Sequence, residues 1–144
     1  MSSLDGDGGG VRCGQDVRTA GGALNLAGRF PATATAGELR VAGTVDVTSP
    51  SALRGVAAPY ADMFLVKDGK VVTLPVPQDA VGVRWELAAG AAKSVPGEVA
   101  LTSCEPGGGP LGPGTYELYA RIAIFPDSGP VVAAVSRVGT LDVR

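Results

Sequence analysis

The stretch GPGTYELYARIAIF, Gly112 to Phe125, reads as a turn followed by one long strand. Tyr116, Leu118, Ala120, Ile122 and Ile124 share one parity, and Glu117, Tyr119 and Arg121 share the other. A pleated backbone sends alternate side chains to opposite faces, so the apolar set predicts a buried face. The length of the alternation predicts a central strand. Its residues form a scaffold and carry no constellation suited to catalysis.

The same period recurs on either side of it. In ELRVAGTVDVTS, Leu39, Val41, Gly43, Val45 and Val47 oppose Arg40, Thr44, Asp46 and Thr48, which predicts a strand with one wet face. YADMFLVKDGKVVTLP reads as a hairpin, because Asp68-Gly69 supplies the positive φ angles of a tight turn. Met63 and Leu65 oppose Phe64 and Val66, so both faces of that hairpin are expected to be covered, one by an opposing sheet and one by loops. VGVRWELAAG turns Val81, Val83, Trp85 and Leu87 inward and makes Trp85 a core residue. GEVALTSC follows as a strand after a turn between residues 88 and 97. ALNLAGRF offers a short first strand, and VVAAVSRVGTLDV a last one in which Gly139 marks a bulge.

At 144 residues the chain suits one domain, and 22 Gly with 11 Pro are too many for a helical bundle. PQDA, residues 77–80, holds one helical turn at most. Seven or eight short strands between Gly/Pro turns predict an all-β, two-sheet antiparallel β-sandwich over residues 13–144. Residues 1–12, rich in Gly, Asp and Ser, read as a flexible linker or an added head, joined to something upstream such as an anchor.

At Pro113-Gly114-Thr115-Tyr116 the chain resembles bacterial immunoglobulin-like domains, in which a PGTY turn opens the penultimate strand. Tyr116 resembles the tyrosine-corner residue, whose hydroxyl returns to a nearby backbone group. With LTSC before the loop, a strand bearing Trp85 and a final hairpin, the C-terminal part of the chain is also similar to BsuPI-type proteinase-inhibitor domains. The resemblance implies an immunoglobulin-like sandwich. The cysteine pair that spans the two sheets of antibody domains has no counterpart, since Cys104 precedes the Tyr116 strand and Cys13 precedes the first clear one.

Those two cysteines are widely spaced, form no CxxC pair and lie at the ends of expected structure. One Cys13–Cys104 disulfide in an exported domain fits this pattern. Closing so long a loop contributes roughly 4 kcal/mol in the chain-entropy model. The alternative is two reduced thiols in a cytosolic protein.

No histidine occurs, which removes the commonest general base, the Ser-His and Cys-His pairs and most zinc sites. The acids are isolated, and no phosphate-binding glycine motif precedes a helix. The chain is therefore expected not to be an enzyme and to need no cofactor or metal. Asp5–Gly10 lacks the later oxygen ligands of a calcium loop, and Asp62, Asp68, Asp79 and Asp127 would gather calcium only if separate loops met. A net charge of −2 with scattered signs argues against nucleic acid, and no apolar run reaches bilayer length.

Loops and an edge remain as candidates. Thr48–Tyr60 carries Arg54 and Tyr60, residue types that anchor interfaces, and Cys104–Gly114 carries Glu105 and Leu111. VVTLPVPQ, broken by Pro75 and Pro77, suits an edge strand that a partner covers. The expected function is a non-catalytic binding or spacer module of the bacterial cell envelope or exterior, with an unidentified protein or cell-surface partner. The alternative is a proteinase inhibitor acting through the exposed loop after Cys104.

Overall fold

The computed structural model describes residues 11–17, 24–78 and 81–144. Most of the expected linker, the Asp5–Gly10 run and Asp79 lie outside the described residues. Within them the chain is all-β with no helix.

Ten strands occur among the described residues: β1 (Asn25–Arg29), β2 (Thr33–Ala34), β3 (Arg40–Thr48), β4 (Leu53–Ala57), β5 (Ala61–Lys67), β6 (Lys70–Val71), β7 (Val83–Leu87), β8 (Ala92–Ala100), β9 (Gly114–Pro126) and β10 (Val132–Val143). Hydrogen bonding joins them in one mixed, curled assembly of order β1-β3-β8-β5-β9-β10-β2, with β4 beside β7 and β9 and β6 beside β5. The expectation of seven or eight purely antiparallel strands is thus corrected. The additions are the two-residue β2, too short to show a period, and β4, hidden in an expected loop, while β6 is the return strand of the expected hairpin, cut to two residues. The pairs β5–β8 and β10–β2 are parallel.

The strand at Tyr116 is central, as its alternation predicts. It pairs along its length with β10, and on its other side with β5 and then β4. Between Ala57↔Ile124 and Asp62↔Arg121, the β4–β5 side advances five residues while β9 advances three. Residues 58–60 absorb the surplus as a break that carries Tyr60. The segment reads as a loop because Ser49-Pro50-Ser51 opens it and Gly55 and Pro59 interrupt it, all residues of turns more than of strands. Gly55 is needed there: a Cβ would stand 2.3 Å from the Phe125 carbonyl oxygen.

Asp68 and Gly69, with φ of 54° and 80°, form the tight turn between β5 and β6. The ladder between β9 and β10 slips between Arg137 and Gly139, where the bulge was expected. The turn expected between residues 88 and 97 is shorter, because β8 already begins at Ala92. Pro96 is tolerated inside it because the described ladders leave that part of β8 paired only with β3.

One apolar core gathers Val45, Val95, Leu65, Trp85, Leu118 and Ile122 among others. A smaller cluster on the opposite face of β5 and β9 contains Phe64, Val66, Val71, Tyr119 and Val135, with Val11 and Val17 packed against it. The doubly apolar hairpin is therefore covered on both sides. Burial of Tyr119 departs from the expected wet parity, because its ring stacks on Phe64 with centroids 5.7 Å apart.

Candidate functional site

The Cys13–Cys104 disulfide forms across a separation of 91 residues, with Cα atoms 5.7 Å apart. Around it the chain is tied down. The Cys104 N–H donates to the Val72 carbonyl at 2.9 Å, and the Ser103 N–H donates to Gly109. Thr73 is fully buried, and its Oγ1 accepts the Leu65 N–H at 2.9 Å in place of a backbone carbonyl. Beyond Val71 no ladder continues, so residues 72–78 run as an irregular wall in place of the expected edge strand. Alternating prolines account for this, since Pro75 and Pro77 have no N–H to offer a ladder.

That wall closes one side of a groove of about 400 Å³ lined by Leu39, Leu74, Pro75, Val76, Pro77 and Cys104, among others. Leu39 is 73% exposed although its parity belongs to the core face. It stands one residue before β3 begins, beyond the layer that buries Val41, while its carbonyl accepts the Leu101 N–H. The groove's apolar lip thus joins Leu39 to the wall at Leu74, Pro75, Val76 and Pro77, of which the sequence singled out Pro75 and Pro77.

The other expected residues do not converge on it. Arg54 lies exposed on β4 opposite Glu86 of β7. Tyr60 is half-buried in a separate cleft of about 410 Å³, with Pro59, Gln78, Pro96 and Glu98. Glu105 is exposed at a turn closed by the Gly108 N–H donating to its carbonyl. Leu111 is buried in the main core, where its N–H donates to Leu101.

A further apolar patch escaped the sequence reading. Val56 and Phe125 are register partners on the outer face of β4 and β9, and both are exposed. Val131, also exposed, precedes the residue paired with Ile124. The parity of β9 carried the signal, since Phe125 alternates with the buried Ile124.

Charges are arranged in pairs. Arg84 grips Asp127 with two hydrogen bonds of 2.6 and 2.5 Å, and these hold the carboxyl of Asp127 below its ordinary value. Asp62 faces Arg121 at 3.6 Å, and burial pushes its carboxyl up against the opposing pull of the guanidinium. Arg29–Asp46, Arg40–Glu98 and Arg137–Glu117 pair similarly. Among the described residues no cluster of three or more acidic or cysteine side chains is placed to hold a metal.

No protein-family model matches the chain. No curated protein matches it either. Among solved structures, it is similar to the C-terminal domain of wzt at 11% identity and a TM-score of 0.49, covering 97% of this chain and 81% of that one. It is similar to Spo0M, a sporulation control protein from Bacillus subtilis, at 18% identity and 0.42, covering 85% and 49%. A β-glucosidase from Listeria innocua aligns at 18% identity and 0.44, covering 83% of this chain, which spans only 16% of the glucosidase. Likeness at this level carries no functional argument.

Proposed function

We propose that this chain is a non-catalytic, exported or envelope-tethered protein-binding module built on an immunoglobulin-like two-layer sandwich. One layer is β1-β3-β8 and the other is β10-β9 with β4, β5 and β7. Three features support the layering. The inward residues of both ladders share one core, two residue pairs alone bridge β5 to β8, and the Tyr116 hydroxyl donates to the Gly112 carbonyl at 2.7 Å. That last contact is the geometry of a tyrosine corner. The disulfide supports an oxidising compartment.

Binding rests on one observation: the groove beside the disulfide exposes Leu39 and Leu74 against a wall stiffened by Pro75 and Pro77. An extended apolar segment of a partner protein fits such a groove, because its wall is already ordered before contact. The test is affinity capture from an envelope fraction, followed by titration of each purified partner against wild type, Leu39→Asp and Leu74→Asp. Weakening of at least about tenfold by both substitutions supports the groove. Binding that both variants retain in full overturns it.

A proteinase inhibitor is the second reading. The loop after Cys104 is pinned at its base by the disulfide and across its neck by the Ser103–Gly109 hydrogen bond. Such restraint suits a loop that must resist turnover. Saturable inhibition of a protease, abolished by replacing residues 105–110, would support it; absence of inhibition across serine, cysteine and metalloproteases would remove it.

A further inference from the structure

The strand β7 (Val83–Leu87) pairs with β4, and among the described residues no strand pairs with its other side. Which residues serve that open side follows from one contact at β4. In an antiparallel ladder a residue turns its N–H and C=O to the same side, and the side alternates along the strand. The Asp127 N–H donates to the Arg54 carbonyl at 3.0 Å, so Arg54 and Val56 turn towards β9 and Gly55 turns towards β7. Trp85 is the register partner of Gly55 and therefore bonds to β4. Arg84 and Glu86 alternate with Trp85, and their backbone groups point away into the open edge. Their side chains lie exposed on the outer face. An edge of this kind is a template for another strand.

We propose that β7 pairs with β7 of a second copy of this chain, antiparallel and two-fold symmetric about Trp85. Symmetry limits the register. A two-fold axis normal to the sheet keeps outer residues opposite outer residues, so the axis passes through a residue position. Through Arg84 or through Glu86 it sets like charges directly opposite each other, which is destabilising. Through Val83 or Leu87 it overlaps only part of the strand and places neither Arg84 nor Glu86 opposite its counter-charge. Through Trp85 every residue of β7 is matched. Arg84 then faces Glu86 of the second copy, and Glu86 faces its Arg84. Each of these pairs exchanges both backbone hydrogen bonds, because Arg84 and Glu86 are the residues that turn their N–H and C=O to the open side.

The charges already present suit this arrangement. Arg84 holds Asp127 through its two Nη atoms, and its Nε, 3.8 Å from Glu86 of its own strand, is left to meet a second carboxylate. The edge uses none of the residues that line the Leu39–Leu74 groove, so the two readings stand or fall separately.

The test is sedimentation of the whole chain across concentration, for wild type, Arg84→Glu, Glu86→Arg and an equal mixture of the two variants. Wild type should form a reversible dimer below about 1 mM. Each variant alone sets like charges opposite and should associate at least about tenfold more weakly, whereas the mixture restores opposite charges and should recover the dimer. Urea midpoints establish that both variants are folded. Amide exchange supplies a reading that needs no substitution: the Arg84 and Glu86 amides should gain protection as wild type is concentrated. Wild type that stays monomeric up to about 1 mM overturns the proposal and leaves Lys93, whose Nζ lies 5.3 Å from the Trp85 ring, as the guard of a blunted edge. A dimer that both variants keep in full, a mixture that gains nothing, or Arg84 and Glu86 exchange that ignores concentration overturns it as well.

Discussion

Replacing Tyr116 with Phe removes one oxygen and nothing else from the turn that opens β9. The ring is 6% exposed and its hydroxyl donates to the Gly112 carbonyl at 2.7 Å. Lys67 Nζ lies 5.0 Å from the ring centroid, and that contact survives in phenylalanine. The loss is therefore confined to one intramolecular hydrogen bond, worth about 1 kcal/mol net. Gly112 is exposed, so water can reach its carbonyl and the full penalty of a buried orphan does not apply. For a chain of this length, about 1 kcal/mol lowers Tm by about 3 °C.

Urea denaturation of wild type and Y116F, followed by the fluorescence of Trp85, measures the difference directly. The midpoint should fall with the slope unchanged, since no extra surface is exposed. Tyr116→Ala should cost about 3–5 kcal/mol, because it also empties the ring's place in the core. If Y116F is as stable as wild type, the bond does not restrain the turn and the corner is decorative. A loss as large as that of the alanine variant would mean instead that the hydroxyl organises the whole Gly112–Tyr116 turn.

Gly55→Ala should destabilise by about 3 kcal/mol, because the new methyl meets Phe125 and Pro126 backbone that cannot rotate away. Gly139→Ala, with nothing within 4 Å of the added carbon, should be neutral or stabilising by about 0.5 kcal/mol in the same denaturation assay. Thr73→Val keeps the shape but strips the acceptor from the buried Leu65 N–H, and about 1–3 kcal/mol should be lost. Urea midpoints between pH 2 and 6 should separate the two displaced carboxyls. Asp62 binds its proton more tightly in the folded state, so its share of stability falls as pH rises from 3.8 through the raised value, and Asp62→Asn removes that fall. Asp127 releases its proton more readily when folded, so its share is complete above 3.8 and lost as pH drops through the lowered value; Asp127→Asn removes that loss.

The candidate groove was half legible. Pro75 and Pro77 stood out because a proline interrupts a ladder wherever it falls, and that is a property of the residue alone. Leu39 did not, because its parity matches Val41 and only the starting point of the β3–β8 ladder leaves it outside the layer. Leu111 failed in the opposite direction. A leucine among glycines and prolines reads as a loop tip, yet the Leu111 N–H bond to Leu101 folds the loop back and buries the side chain. Arg54 was placed in a loop and stands on a strand, since Gly55 hides a ladder whose partner, Glu86 of β7, lies far along the chain.

The amino-acid sequence by itself determined the all-β class, the central strand at Tyr116, the Asp68-Gly69 turn and the bulge near Gly139, while the Cys13–Cys104 bridge, one of two alternatives in the sequence, was decided by the fold that brings the two Cα atoms to 5.7 Å. Each of the sequence-determined features follows from a short-range signal: a period of two, a positive φ or an interrupted alternation. The parallel contacts of β2 and β8, the break at residues 58–60 and the apolar groove were decided by tertiary structure alone. They depend on which distant segments meet, and a side chain's burial is set by the strand that crosses it rather than by its neighbours in the chain.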